Sequence, residues 1–368
     1  MKKEIIIIGG GIVGSTAAFY LSRYAECNIT LIDSGQGNAT RAAAGIICPW
    51  LSQRRNKDWY RLTSQGANFY LQLMEDLKRA GVDELPYRQT GTLVFKNQPH
   101  LLEKLYQLAL ERRQEAEMIG ELTIYEESNL GQLIPELETD QGAVLTGGGG
   151  RLDGAALLDI LQKLFLQKGG TIIHGQARLG KHQTVQVNEQ ELAYDQLILA
   201  SGAWLPQILE PLGYKVDIRP QKGQLLEVET NFSSGKWPGC MLHGEIDILP
   251  FDQGRLAIGA SHENDKGYDL TVDSQLIEEM KETAIQFIPA LKNYPISKTR
   301  VGTRAYTSDF LPFYGNLNDQ PSIWVASGLG SSGLTSGPFI GWQIAREILE
   351  LKNFFDRRPF SPDRYIKK

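Results

Sequence analysis

Met1-Lys-Lys-Glu-Ile-Ile-Ile-Ile-Gly-Gly-Gly-Ile-Val-Gly14, running on to Leu31-Ile-Asp33, is the stretch on which the fold turns. Its apolar run, Ile5 to Ile8, is bounded by glycine. Such a run suits a strand buried on both faces, as in a parallel sheet. Gly9, Gly11 and Gly14 then complete G-x-G-x-x-G. The first glycine allows a tight turn and the second lets the backbone approach a pyrophosphate. The third, with Ala18 a turn later, lets a helix pack close to the sheet. Residues 12–24 predict that helix, with Ile12 and Val13 in its first turn. Its N-terminal N–H groups and dipole favour a phosphate. Asn28 to Ile32 predicts a second strand, ending at Asp33, 24 residues after Gly9, where a carboxylate meets a ribose hydroxyl. A glycine-rich turn without a ligand is the alternative. The strand before, the helix after and the acid in place argue against it. Alone, the motif fits NAD and FAD equally.

The 368 residues suggest two domains or one large one. A hydrophobic content of 42% with 38 glycines fits a globular α/β protein whose core needs no staples. The net charge of −5, with no basic run, argues against nucleic acid as a partner. Cys27, Cys48 and Cys240 form no C-x-x-C pair and no metal cluster, which suits a reducing compartment. Lys2-Lys3 before the isoleucines imitates a signal peptide, but the apolar run is too short for one. No stretch approaches a transmembrane helix. The expectation is a soluble cytoplasmic protein with no metal, its oligomeric state open.

Ser34 to Gly45 is a small, polar loop that can lie against a ligand. Residues 57–80 predict a long helix stopped by Gly81. From Pro86 the texture changes. Gln89 to Phe95 reads as a strand, 99–118 as a charged amphipathic helix begun at Pro99-His100, and 121–150 as mixed, ending in four glycines. We read 86–150 as a segment inserted into the nucleotide domain. Residues 154–168 are a helix, Thr171 to His174 and Thr184 to Val187 short strands, and Gln196 to Trp204 a buried strand with a small-residue turn. Residues 219–300 look antiparallel, with strands at Gln224–Glu229 and Arg255–Gly259 and a helix over 273–288. Ser322 to Ser327 is a strand, Gly328 to Gly333 a loop, and Thr335 to Leu351 a helix. The fold class is therefore α/β: a Rossmann-type nucleotide domain from 1–85, 151–218 and 301–368, with a mixed or antiparallel α+β substrate domain from 86–150 and 219–300.

Gly9 to Gly14, Asp33, Thr40-Arg-Ala-Ala-Ala-Gly45, Ala200-Ser-Gly-Ala-Trp204, Arg219-Pro-Gln-Lys-Gly-Gln224, Gly302-Thr-Arg304 with Asp309-Phe-Leu-Pro312 beyond it, and Gly328-Leu-Gly-Ser-Ser-Gly-Leu334 occur in one order. That ordered set, covering essentially the whole chain, resembles the D-amino-acid oxidase family, in its glycine oxidase and D-amino-acid dehydrogenase branch. The resemblance implies non-covalent FAD in an extended form beneath the substrate domain. It implies that Gly9, Gly11 and Gly14 cradle the pyrophosphate and Asp33, with Ser34 beside it, holds the adenosine ribose. Arg41, Ala43, Ala44 and Gly45 would line the pyrophosphate and flavin side. Ala177 would meet the adenine through its backbone, and Ala200, Ser201, Gly202 and Trp204 would form the second dinucleotide turn. Gly302 with Arg304, and Gly328, Gly330, Ser331, Ser332, Gly333 and Leu334, would border the flavin. The last loop precedes a helix whose positive end would face the flavin's pyrimidine side.

The family places an arginine at Arg304 to clamp the substrate carboxylate, which a planar bidentate guanidinium does better than a lysine. The plain alternative is an inter-domain salt bridge. His262 stands where a relative has a residue over the flavin. His243, Trp50 and Gln53 are further candidates, while His174 and His182 have no evident partners. Two departures stand out. Ser331 occupies the place of glycine oxidase's second arginine, and a tyrosine of the relatives is replaced near Asp247 or Ile248. A substrate larger than glycine, or differently charged, fits those changes. The reaction implied is hydride transfer from the Cα of a small amino acid or secondary amine to flavin N5. The imine product hydrolyses to a 2-oxo acid. Competing readings are a same-fold dehydrogenase that passes electrons to a quinone or carrier, an NAD-linked dehydrogenase, and a non-catalytic flavin-binding subunit.

Overall fold

In a computed structural model of the chain, which describes residues 2–37, 39–242 and 246–368, the four isoleucines lie at the centre of a six-stranded sheet. Its order is Phe313–Asn316, Ile323–Ser327, Gln196–Leu199, Lys3–Ile8, Cys27–Asp33, Thr171–His174. Every pairing is parallel except the edge pair of Phe313–Asn316 with Ile323–Ser327. Ile5 to Ile8 align with Gln196–Leu199 on one side and with Ile29 to Ile32 on the other. Ile5 and Ile7 join the core beneath the helices Ile12–Leu21 and Gly333–Ile348, while Ile6 and Ile8 pack with Leu197, Leu199 and Leu205 on the opposite face. Both faces being covered is why no alternation appears in the sequence.

The helix Ile12–Leu21 is buried along its whole length. It stops three residues short of the expected position 24 because Arg23 and Tyr24 fold into a turn before the second strand. The helix Gly333–Ile348 crosses it closely. A Cβ at Gly337 would sit 2.5 Å from Ile12 Cγ2, and one at Gly341 would sit 2.4 Å from the Val13 carbonyl oxygen. Gly337→Val is therefore expected to cost about 1–3 kcal/mol by overpacking this crossing. A lower urea midpoint at unchanged slope is the check.

The second sheet has eight strands, ordered Ile296–Tyr306, Arg219–Glu229, Arg255–Gly259, Asp247–Pro250, Gly239–Met241, Thr92–Lys96, Gly142–Thr146, Leu122–Tyr125. It is antiparallel apart from the parallel pair Gly239–Met241 with Thr92–Lys96. One face buries Leu226, Val228, Ile248 and Ile258 against the helix Ser274–Phe287. The other face looks toward the first sheet, where Leu225, Leu249 and Ala257 meet Ala44 and Ile46.

Several boundaries move. The expected strand over 89–95 divides into Tyr87–Gln89 and Thr92–Lys96, because Gly91 takes a positive φ and its N–H bonds to Gly149. The helix begun at Pro99 ends at Arg113, and a separate 3-10 turn covers Glu117–Ile119. The last helix begins at Gly333 and ends at Ile348, so its first turn takes in residues read as loop. The strand Ile296–Tyr306 runs straight through the division expected at 300/301. No helix among the described residues is long and apolar enough to cross a membrane.

Candidate functional site

A cavity of about 760 Å³ lies between the two sheets. Its walls are built where strands of the first sheet end. Gly9 takes φ +110°, and a Cβ there would stand 2.3 Å from the Ala200 carbonyl oxygen, so the two strand-to-helix turns touch backbone to backbone. Gly10 lies against the Asp33 carboxylate, and its own carbonyl accepts from Ser15 Oγ at 2.9 Å and Gln162 Nε2 at 3.1 Å. These bonds hold the loop rigid. Gly11 behaves differently: a Cβ there would meet nothing nearer than Thr40 Oγ1 at 3.6 Å. The protein leaves that space clear toward the cavity.

Most residues singled out in the sequence line this one cavity. They are Gly9, Gly11, Ile12, Val13, Asp33 and Ser34 from the first βαβ unit, and Arg41, Ala43, Ala44 and Gly45 from the following loop. Ala177, Ala200, Ser201, Gly202 and Trp204 line it from the next turns, and Gly302, Arg304, Gly330, Ser331, Ser332, Gly333 and Leu334 from the C-terminal third. Two do not. Gly14 faces the strand, where a Cβ would fall 2.0 Å from the Gly9 carbonyl oxygen, so it serves helix packing and not the cradle. Gly328, at φ +76°, turns the chain behind the wall against Thr307. Trp50 is fully buried and Gln53 is exposed; their neighbours Ser52 and Arg54 line the cavity instead. His262 is at the exposed rim. His243 lies outside the described residues.

These features fit an adenine dinucleotide. The helix Ile12–Leu21 has no side-chain cap and no acid in its first turn, and the same is true of Gly333–Ile348. Both N-termini open on the cavity with the positive end of a dipole, and at the first of them Thr40 Oγ1 accepts the Ile12 N–H at 3.1 Å. Ser201 Oγ is buried there without a hydrogen-bond partner among the described residues. The loop 41–45 is clamped by Arg300, whose guanidinium donates to the carbonyls of Arg41 at 3.0 Å and Ala43 at 3.3 Å. Arg41 itself pairs with Asp159 at 2.6 Å.

On the second sheet, directly paired residues share a face and alternate residues along a strand return to it. Arg304 and Gly302 pair with Gln221 and Gly223, Leu225 pairs with Gly259, and Gly259 pairs with Asp247. This set therefore shares one face of the sheet, and Gly223, Asp247, Gly302 and Arg304 of it line the cavity. The Arg304 guanidinium lies across Gly223, where a Cβ would meet Nη1 at 2.5 Å, and it donates to Gln221 Oε1 at 3.2 Å and the Ser261 carbonyl at 2.8 Å. Those bonds aim the guanidinium toward the cavity it lines.

Arg54 and Tyr306 escaped the sequence reading, and so did the placement of Asp247, noted there only as replacing a tyrosine. Arg54 reaches from the first half of the chain to donate to Ser331 Oγ at 3.4 Å, while stacking on Trp59. A cation is thus delivered to the loop position where the relatives' second arginine was expected. Tyr306 Oη accepts the Ser331 N–H at 2.9 Å and holds that loop in place. Asp247 lines the cavity, and burial pushes its carboxyl up to about 7. Cys48 also lines it, but burial pushes that thiol up to about 12, so it carries no thiolate at neutral pH. Among the described residues, no group of three or more His, Cys, Asp or Glu could hold a metal ion.

Comparison with known proteins agrees with this geometry. Residues 4–347 match the family model described as DAO, FAD dependent oxidoreductase. The uncharacterized oxidoreductase YurR of Bacillus subtilis strain 168 is 37% identical over 367 residues, covering 98% of each chain. The solved structure of iminodiacetate oxidase from Chelativorans sp. BNC1 is 30% identical, with a TM-score of 0.91 over 97% of this chain and 98% of that one. Glycine oxidase of Pseudomonas putida KT2440 is 24% identical over 99% of both chains. The chain belongs to the DAO family and is an FAD-dependent oxidoreductase.

Proposed function

We propose that this enzyme oxidises the Cα–N bond of a small amino acid or secondary amine, giving an imine that hydrolyses to a 2-oxo acid. The observation that carries the reading is Arg304, its guanidinium held over a glycine floor inside the cavity. A planar cation in that setting suits a carboxylate. The likeness to iminodiacetate oxidase and glycine oxidase supports the class, since both names denote oxidation at a carbon between nitrogen and carboxylate. In this proposal, residues 1–85, 151–218 and 301–368 bind FAD and residues 86–150 and 219–300 shape the substrate side, with the strand Ile296–Tyr306 crossing that division and bringing Arg304 to the substrate side.

Gly9, Gly11 and the N-terminus of Ile12–Leu21 would hold the pyrophosphate, with Asp33 on the ribose and the N-terminus of Gly333–Ile348 toward the flavin's pyrimidine side. Bound flavin supplies the two-electron acceptor for the hydride that leaves Cα. Arg304 binds the substrate carboxylate and fixes the direction of the Cα–H bond, so positioning provides much of the acceleration. The walls at Ala44, Met241 and Leu329 exclude water from that bond.

Anaerobic bleaching of the flavin by glycine, sarcosine, D-amino acids, proline and iminodiacetate tests the reading. Reduction by at least one of them is expected, and no reduction by any overturns it. Oxygen consumption against dye reduction then identifies the acceptor. Arg54→Ala is expected to weaken binding of a dicarboxylic substrate by about 0.5–1.5 kcal/mol, the usual worth of a solvent-accessible hydrogen-bonded contact. Its effect on a monocarboxylic substrate should be smaller, which a KM comparison measures.

A further inference from the structure

We propose that Asp247 is the cavity group that receives the substrate's amino nitrogen, pairing with the ammonium and then taking its proton. The inference rests on the amine-oxidation reading above and specifies that site's substrate: an amino acid that enters as a zwitterion.

The placement comes from the sheet. Asp247 pairs with Gly259 on one side and Met241 on the other, on the same cavity-facing side as Arg304. Between the two charged groups the floor carries no further charge: the Arg304 guanidinium covers Gly223, and the Leu225 side chain lies against Gly259. An amino acid lying on that floor presents its carboxylate to one end and its nitrogen to the other. Asp247 accepts no hydrogen bond and forms no ion pair among the described residues, unlike the nearby acids Asp252 and Asp153, which are paired with Arg151 and Arg255. Asp247 is half-buried, and a carboxylate drawn partly from water without a partner is costly. A substrate ammonium would relieve that cost, and water would relieve it less.

Among the described residues, the titratable groups facing it from the elements beside it are two thiols. Cys240 on the neighbouring strand and Cys48 on the facing segment are buried thiols whose ionisation burial opposes, so neither supplies nor competes for a proton near neutrality. Arg304, Arg54 and His262 line the same cavity. Burial alone lifts Asp247 to about 7, which suits a group that must accept a proton near neutrality. The step balances simply. An N–H bond of the ammonium breaks, its proton bonds to an Asp247 oxygen, and the nitrogen keeps the electron pair. A neutral amine with a free lone pair is the form from which hydride can depart.

The test uses the flavin-loaded enzyme and methoxyacetate, an ether acid shaped like sarcosine but without the nitrogen. Its binding is read from the perturbation of flavin absorbance. With Asp247 protonated, the ligand meets a neutral wall. Once the carboxyl ionises, it meets a second negative charge. Wild-type affinity is therefore expected to fall roughly tenfold or more between about pH 6 and about pH 9. Asp247→Asn is expected to flatten that profile and to bind tighter than wild type at the high-pH end. For an amine that reduces the flavin, D247N should move the acid limb of the reduction rate, its rise with pH, upward by about two pH units, toward the substrate's own ammonium. His262→Asn and His243→Asn should leave the methoxyacetate profile in place.

Equal methoxyacetate behaviour in wild type and D247N at every pH, lack of binding by both included, overturns the assignment. So does a pH limb that vanishes in a histidine variant and persists in D247N. If no amine reduces the wild-type flavin, the amine-oxidation reading fails and the assignment of Asp247 falls with it. If wild type is reduced and D247N keeps its pH profile, Asp247 alone is wrong.

Discussion

Arg304→Ala is expected to lower kcat/KM for the amino-acid substrate by about 100-fold, equivalent to about 3 kcal/mol at the upper end for hydrogen bonds to charged groups. The magnitude follows from the surroundings. Gln221 and the Ser261 carbonyl already orient the guanidinium, so little conformational entropy remains to be lost when substrate binds. Alanine removes both N–H donors at once and leaves the substrate carboxylate facing Gly223. Arg304→Lys should recover only part of the loss, because an ammonium offers no planar pair of donors. Flavin content measured alongside separates a substrate clamp from a cofactor contact. Full flavin retention with a large kinetic loss supports the clamp. An unchanged kcat/KM would falsify it.

Gly11→Ala should separate FAD binding from folding. The added methyl meets only Thr40 Oγ1, at ordinary contact distance, and the position does not take a positive φ. The apoprotein should therefore unfold at close to the wild-type denaturant concentration. The same methyl stands where the backbone must approach the pyrophosphate, and FAD affinity should drop by about 1–3 kcal/mol, the usual cost of overpacking a tight contact. Gly14→Ala should do the reverse in order of cause. Its methyl would fall 2.0 Å from the Gly9 carbonyl oxygen, so the fold itself weakens and flavin is lost with it. Equilibrium unfolding of the two apoproteins and FAD titration of each distinguish the cases. Equal destabilisation of both would remove Gly11 from the cradle.

The difference between these glycines shows how far the motif can be read. G-x-G-x-x-G places three glycines around one turn, and the local geometry of strand, turn and helix does the rest. It does not say which glycine touches ligand and which touches protein. Gly9 lies between the two, with backbone contact to Ala200 and a wall on the cavity. Gly328 and Gly330 pose the same problem two residues apart. Both take a positive φ, but only Gly330 lines the cavity, because Gly328 is packed behind the wall against Thr307 and Leu311.

Period and punctuation in the chain determined the central strand, the helix after it, Asp33 at its place, and the alternation of a nucleotide-binding pattern with antiparallel segments. These are short-range features. A strand buried on both faces, a glycine turn and a helix start are each set by neighbours within a few residues. The ordered loops carried the family resemblance, and Arg304 with them. The tertiary structure alone decided that Arg54 meets Ser331 across 277 positions, and that Asp247 shares a cavity face with Arg304. The first depends on two loops packed together from distant parts of the chain, and the second on the register of strands. A shift of one residue in the Asp247–Pro250 strand would turn Asp247 into the opposite core and Ile248 into the cavity. No local pattern distinguishes those two registers. Ile248 packing beneath the helix Ser274–Phe287 chooses between them, and so places a carboxylate in the cavity.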